Sequence, residues 1–116
     1  MDAPSPPNLA LVLCNAPVDS AEAIARDLLE KRLAACVNIV PAVVSLYWWK
    51  GAIAREAEST LLIKTRMDLV PRLTEAIEAV HPYEVPEVIA LPIEPGVGHP
   101  GYRDWVIAET EEGQIV

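Results

Sequence analysis

The segment from Cys36 to Trp49 is a nearly unbroken run of apolar, β-branched and aromatic residues, fourteen in all. Fully extended, such a run reaches about 45 Å, whereas a typical strand has about 5–6 residues and a domain of this length has a radius of gyration of about 13 Å. The strand is therefore expected to extend beyond its own domain. Because exposed apolar strands invite pairing, either Pro41 bends the strand back on itself or a neighbouring subunit covers its far half. We favour the subunit, with Pro41 marking a β-bulge.

The length and net charge of the chain limit the classes of function that it can have. The 116 residues suffice for one domain with its own core, and a net charge of −8 without a basic stripe argues against nucleic-acid and membrane partners. The N-terminus lacks the basic start and apolar stretch of a signal peptide, which favours a cytoplasmic protein. Cys14 and Cys36 provide no disulfide framework and are expected as free thiols.

The order of elements is predicted to be βαββαβα. Residues 1–8 form a Pro-rich lead that we expect to be disordered, residues 9–112 form the domain, and 113–116 form a tail. Strands are expected at 9–14, 36–49, 58–65 and 87–93, and helices capped by Asp19 and Asp68 precede a short third helix that carries Trp105. Lys50-Gly51 is predicted to turn between the second and third strands.

Two βαβ crossovers that flank a hairpin predict an α+β, ferredoxin-like βαββαβ(α) sandwich, with one antiparallel sheet and both main helices on one face. The other face also carries apolar residues, so we expect a homo-oligomer to cover it. Trp48 and Trp49 lie on opposite faces of the second strand, and we expect one of them to pack into its own subunit.

Charged residues in the predicted strands suggest a ligand site. Lys64 and Glu58 share one face of the third strand but are too far apart to pair, so Glu87 or a residue of another subunit is the expected counter-charge of Lys64. Two alternatives remain open. One is an ordinary salt bridge between subunits, and the other is a small-ligand cleft between subunits, with Lys64, Glu58 and Glu87 as polar groups and walls formed by Tyr47, Trp49, Tyr83 and Trp105.

The cysteine and histidine residues permit both structural and chemical roles. Cys36 is predicted to be a core residue, whereas Cys14 is equally consistent with the core and with a ligand role. His81, at a predicted helix end, is suited to capping or to metal binding. A Cys14–His81 nucleophile and base is a weak signal, and no phosphate loop, HExxH or Gly-x-Ser-x-Gly motif is present, so we do not expect an enzyme.

Five motifs resemble the divalent-cation tolerance protein family CutA, in order along 9–107. They are LCNAP (13–17), LAACVNIVP (33–41), SLYWWKG (45–51), LIKT (62–65) and HPYEVPE (81–87). The resemblance implies a ferredoxin-like subunit in a tight homotrimer, similar to the nitrogen-regulatory PII proteins. It also implies a cytoplasmic protein linked to copper and other divalent ions, without a settled enzymatic activity.

The resemblance also implies a metal site. Cys14 falls at the thiol ligand of a copper-binding family member, and His81 falls at the histidine of its His-Pro-Tyr motif, while Val80 replaces a second histidine. A thiolate and an imidazole suit copper or zinc, neither of which we expect to be obligatory. The alternative is a PII-like regulatory module that binds a small ligand between subunits and has no metal role.

Overall fold

The fold is the expected α+β arrangement. The computed structural model describes residues 7–111, so residues 1–6 of the predicted lead and the tail 113–116 lie outside the described residues. The elements are β1 (Leu9–Ala16), α1 (Ala21–Glu30), β2 (Cys36–Trp49), β3 (Ala52–Arg66), α2 (Val70–Val80), β4 (Ile89–Pro92) and α3 (Pro100–Glu109), and a 3₁₀ turn at Met67–Leu69 leads into α2.

The four strands form one antiparallel sheet in the order β2-β3-β1-β4. The predicted βαββαβα order and the ferredoxin-like sheet are confirmed. On one face, which we call the helix face, alternate residues of β1 and β3 such as Val12 and Ile63 are fully buried. They form one core with the apolar stripes of α1 and α2, which include Leu28 and Ile77. The opposite face, which we call the open face, carries the intervening residues, among them Leu62 and Lys64.

The β2–β3 hairpin extends past the rest of the domain, as the sequence predicts. β1 pairs with β3 only from Ser59 onward, so the hairpin beyond that point has no neighbouring strand. The molecule is consequently elongated, with extents of 57 × 31 × 23 Å and a radius of gyration of 15.6 Å. We call residues 41–57 the hairpin arm.

Pro41 lies at the base of the hairpin arm and marks a bulge. The β2–β3 register shifts between Val40 and Val43, and the Ser59 hydroxyl donates a hydrogen bond of 2.8 Å to the Pro41 carbonyl. The predicted β-bulge is confirmed. At the far end, Lys50 (φ 49°) and Gly51 (φ 80°) adopt the left-handed conformations of a two-residue hairpin turn.

One face of the hairpin arm is an exposed apolar surface. Trp48 is paired with Ile53, and they are 75% and 66% exposed, while Leu46, two residues before Trp48, is 67% exposed. With Val44, these residues form what we call the apolar stripe. Trp49, on the other face, is also exposed. The prediction that one of the two tryptophans packs into its own subunit is therefore wrong for the protomer.

Several predicted boundaries differ from the observed ones. β3 begins at Ala52 rather than at Glu58, and β4 covers only Ile89–Pro92. The Asp19 cap is wrong, because Ser20 is the N-cap residue of α1 and no side chain caps that end. Asp68 lies in the 3₁₀ turn, where it pairs with Arg66 at 3.1 Å instead of capping α2.

Candidate functional site

His81 joins the end of α2 to the end of β1. Its Nε2 lies 2.8 Å from the main-chain carbonyl oxygen of Asn15, and its Nδ1 lies 3.0 Å from the main-chain nitrogen of Tyr83. A carbonyl only accepts and an amide N–H only donates, so the imidazole is neutral with its hydrogen on Nε2. Both ring nitrogens are thus engaged by the protein backbone.

Cys14 is fully buried on the helix face, next to Asn15. Its thiol lies 3.7 Å from the carbonyl oxygen of Asn15. Burial, followed by the negative charges of Glu87 and Glu58, raises the pKa of Cys14 from 9.0 to about 12. The raised pKa favours the protonated thiol and the burial agrees with a core role for Cys14, while its ligand role stays a prediction.

Glu58 and Tyr83 form a polar pair beside His81. The Tyr83 hydroxyl donates to Glu58 Oε2 at 2.8 Å, and Glu58 is only 6% exposed. Burial and then the hydrogen bond to Glu58 raise the pKa of Tyr83, so the phenol stays neutral. The Tyr83 ring also lies 4.8 Å from the His81 ring, centroid to centroid. We call Cys14, Asn15, Glu58, His81 and Tyr83 the strand-end cluster.

The strand-end cluster as folded does not fit a bound metal ion. A thiolate ligand requires deprotonation of Cys14, and an imidazole ligand requires His81 to give up one of its backbone hydrogen bonds. Within residues 7–111, no three His, Cys, Asp or Glu side chains are grouped so that they could hold a metal ion.

A second group of predicted site residues lies on the open face. The Lys64 ammonium donates to Asn38 Oδ1 and lies 4.0 Å from the Cys36 thiol. Cys36 is half-buried rather than a core residue, so that prediction is wrong. The reason is the strand register. Cys36 is paired with Lys64, and because side chains alternate along a strand, both lie on the open face, whereas Ile63 is buried on the helix face.

Helix α3 contributes aromatic side chains to the same place. The Tyr102 side chain lies close enough to Cys36 for the two to interact, and the Tyr102 and Trp105 ring centroids are 5.5 Å apart. Burial, followed by Cys36, raises the pKa of Tyr102. We call Cys36, Asn38, Lys64, Tyr102 and Trp105 the open-face cluster.

The protomer brings some residues of the predicted cleft together and separates others. Lys64 and Trp105 belong to the open-face cluster, while Glu58 and Tyr83 belong to the strand-end cluster, with Glu87 acting electrostatically on Cys14. Tyr47 and Trp49 lie on the hairpin arm, but Tyr47 interacts electrostatically with Glu58 and Tyr83 and therefore lies near the strand-end cluster. Tyr47 hydrogen-bonds to Glu56, and the Lys50 ammonium lies 5.7 Å from the centroid of the Trp49 ring. The expected Lys64–Glu87 pair is not found among the salt bridges of the described residues.

Sequence reasoning missed four members of these clusters: Asn15, Cys36, Asn38 and Tyr102. Asn15 supplies the carbonyl that His81 binds, and its side chain accepts from Thr60 at 2.8 Å. The available signal was an asparagine within an otherwise apolar strand, which occurs at both Asn15 and Asn38. Tyr102 gave no such signal, because its role depends on where α3 packs.

Comparison with known proteins assigns the family. The sequence model described as CutA1 divalent ion tolerance protein matches residues 10–109. The chain belongs to the CutA1 family. It is 46% identical over 101 residues to the divalent-cation tolerance protein CutA of Thermus thermophilus, covering 86% of this chain and 96% of that protein.

Other CutA proteins agree with this assignment. The chain is 55% identical over 91 residues to mouse protein CutA, covering 78% of this chain. It spans 50% of the length of that mammalian relative. The crystal structure of CutA1 from Oryza sativa superposes with a TM-score of 0.86 at 42% identity, covering 90% of this chain and 95% of that one. None of the helices in the described residues has the length and apolar character needed to cross a membrane.

Proposed function

We propose that this CutA1 protein acts in divalent-cation tolerance as a cytoplasmic homotrimer in which the hairpin arm of each subunit packs against a neighbour. The observation that carries the proposal is the apolar stripe, whose Leu46, Trp48 and Ile53 are each about two-thirds or more exposed in the protomer. Fully burying one such side chain contributes about 1.5–3 kcal/mol, so a partner that covers the stripe gains substantial free energy. The number three follows from the family resemblance.

The choice of a second copy as the partner rests on continuity of the sheet. The hairpin arm continues β2 and β3, which form one side of the sheet. The short strand β4 is the edge strand on the other side and has no neighbouring strand beyond it in the protomer. An arm that reaches beyond its own domain can pair with another subunit, and cyclic closure then leaves no free edge.

The cation in this proposal is cargo rather than a resident cofactor. Copper, with zinc as the second candidate, is the ion that the family resemblance suggests. Coordination by Cys14 and His81 stays a prediction that the geometry does not favour, because the thiol is protonated and both imidazole nitrogens are engaged. We therefore propose that tolerance depends on the assembled trimer and not on this pair, and we assign no catalysed reaction.

The cytoplasmic location is part of the proposal. Cys14 and Cys36 are both free thiols, a state that persists in reducing compartments. Separating cytoplasmic from membrane and extracellular fractions, followed by detection of the native protein, tests this point directly.

A complementation experiment tests the function. Cells that lack their own CutA are given this protein and grown in rising copper concentrations, and the wild type is expected to restore growth. Trp48→Glu should fail to do so, because it places a charge on the apolar stripe. Val18→Glu is the matched control, since Val18 is an isolated exposed apolar residue outside the arm, 54% exposed. Full rescue by Trp48→Glu would contradict the proposal.

A further inference from the structure

Lys64 lies in the sheet without a carboxylate partner. Its ammonium contacts the Asn38 amide oxygen and the Cys36 sulfur, and neither of these groups is a carboxylate. Among the described residues, none of the salt bridges includes Lys64, whereas four other cations each have a carboxylate within 3.1 Å: Arg26, Lys31, Arg32 and Arg66. An ammonium has three N–H donors, and the contact between Lys64 and Asn38 is exposed to solvent, so an anion from solution can reach the ammonium and accept from it.

The groups around Lys64 offer hydrogen-bond donors and aromatic surface to a ligand, in addition to the positive charge. The Asn38 side-chain oxygen is used by Lys64, and an amide of this kind still offers two N–H donors. The Tyr102 and Trp105 rings lie 5.5 Å apart, and both remain partly exposed, at 47% and 42%. Tyr102 lies close to Cys36, which in turn contacts Lys64, so the aromatic surface adjoins the ammonium.

We propose that the open-face cluster binds a small monocarboxylate that carries an apolar or aromatic body. Lys64 and the Asn38 amide hold the carboxylate, and the rings of Tyr102 and Trp105 contact the body. This binding role is additional to the tolerance function proposed above and does not require a metal ion.

A carboxylate fits better than a phosphate. The open-face cluster has one cation and no arginine, and a phosphate carries more charge and is typically held by several donors or by a guanidinium. The N-terminus of α3 offers no free anion site, because the His99 side chain accepts from the Tyr102 main-chain nitrogen at 3.3 Å. A net charge of −8 also disfavours polyanions.

A carboxylate partner for Lys64 has a second potential source besides a free small molecule. In an assembly, an Asp or Glu side chain of a neighbouring copy could pair with Lys64, which is the salt-bridge alternative that the sequence left open. We commit to the free small molecule, and the experiment distinguishes the two sources.

The experiment measures binding of phenylacetate to the assembled protein, with the uncharged phenylacetamide as the matched ligand. Thermal unfolding and NMR line shifts of phenylacetate are recorded in parallel. Phenylacetate is expected to raise the unfolding temperature, since it binds the native state, while phenylacetamide has little effect. An equal response to both compounds would overturn the proposal.

Variants locate the site. Lys64→Met keeps the side-chain length, removes the charge and should weaken binding about tenfold or more. Lys31→Met is the control, because Lys31 follows the last residue of α1 and pairs there with Asp27 at 2.9 Å. Asn38→Ala is a second variant that leaves Lys64 in place and should also weaken binding. Unchanged binding in both Lys64→Met and Asn38→Ala would overturn the proposal.

Oligomer mass separates the free ligand from a neighbour's carboxylate. If the free ligand is correct, Lys64→Met keeps the wild-type mass in light scattering and loses only phenylacetate binding. Dissociation of Lys64→Met, together with no phenylacetate effect on the wild type, would assign the carboxylate to a neighbouring copy and overturn the proposal. Neither result depends on copper tolerance, so failure of the ligand proposal is distinguishable from failure of the proposed function.

Discussion

The imidazole of His81 donates from Nε2 to the main-chain carbonyl of Asn15 across 2.8 Å, and this bond fastens the end of α2 to the end of β1. The same ring accepts the Tyr83 N–H at Nδ1, which fixes the first residues after the helix. The hydrogen bonds that hold the strand-end cluster together are therefore the ones that a metal ion would have to displace.

His81→Ala should destabilise the protein. The substitution removes both ring hydrogen bonds and leaves the Asn15 carbonyl and the Tyr83 N–H to find other partners, and each unpaired buried group costs about 1–3 kcal/mol. Urea unfolding at a fixed protomer concentration measures the loss. Val80→Ala is the control, because Val80 is exposed and adjacent. An equal loss in the two variants would contradict the role given to His81.

Cys14 should make stability depend on alkaline pH. Its pKa is raised from 9.0 to about 12 by folding, so the native state favours the neutral thiol. The stabilisation is fully present below pH 9.0 and is lost as the pH rises toward 12, because the unfolded thiol ionises first. Cys14→Ala should flatten this part of the pH profile.

Val12→Ala is the matched control for that measurement. Val12 is fully buried on the same strand and face as Cys14 and does not titrate, so its truncation should lower stability at every pH and leave the alkaline slope of the wild type in place. The account of Cys14 fails if the slopes of Cys14→Ala and wild type are the same between about pH 9 and 12.

Glu58 and Tyr83 should be energetically coupled. Tyr83→Phe leaves a carboxylate that is 6% exposed without its hydroxyl donor, and Glu58→Gln removes the charge that this donor stabilises. Each single variant is expected to lose about 1–3 kcal/mol. The double variant should lose less than the sum, with a coupling energy of about 0.5–3 kcal/mol. Strict additivity would show that the pair contributes nothing beyond its separate packing.

Copper binding should not depend on Cys14. Because its thiol is buried and protonated, Cys14→Ser is expected to leave copper affinity unchanged in competition with a chelator. Val80→His is the companion variant, because the family resemblance implies a second histidine at this position and Val80 is exposed. A clear drop in affinity for Cys14→Ser would place this thiol among the ligands after all.

The sequence predicted the fold well in segments that carry a strong local signal, such as an apolar run, a proline or a glycine turn. The apolar runs of β1 and β2, the bulge at Pro41 and the turn at Lys50-Gly51 all appear where expected. The first six residues of β3, Ala52–Ala57, carry too little apolar or β-branched character to be recognised alone. They become a strand because β2 provides a partner for pairing.

The site was harder to predict because side-chain partners depend on register. Lys64 pairs across the sheet with Cys36 and contacts Asn38, while Glu87 acts on Cys14 and forms no salt bridge with Lys64 among the described residues. His81 was expected at a helix end, and its partner is the carbonyl of a strand that is distant in sequence. Such partnerships arise from tertiary packing and have no local signal.

The hairpin arm is expected to need a neighbouring copy of the chain to cover its apolar stripe. Multi-angle light scattering of the wild-type protein at dilute micromolar concentration measures whether that copy is present. We expect a single species with three times the 12.6 kDa mass of one chain. A soluble, homogeneous species with the mass of one chain would contradict it.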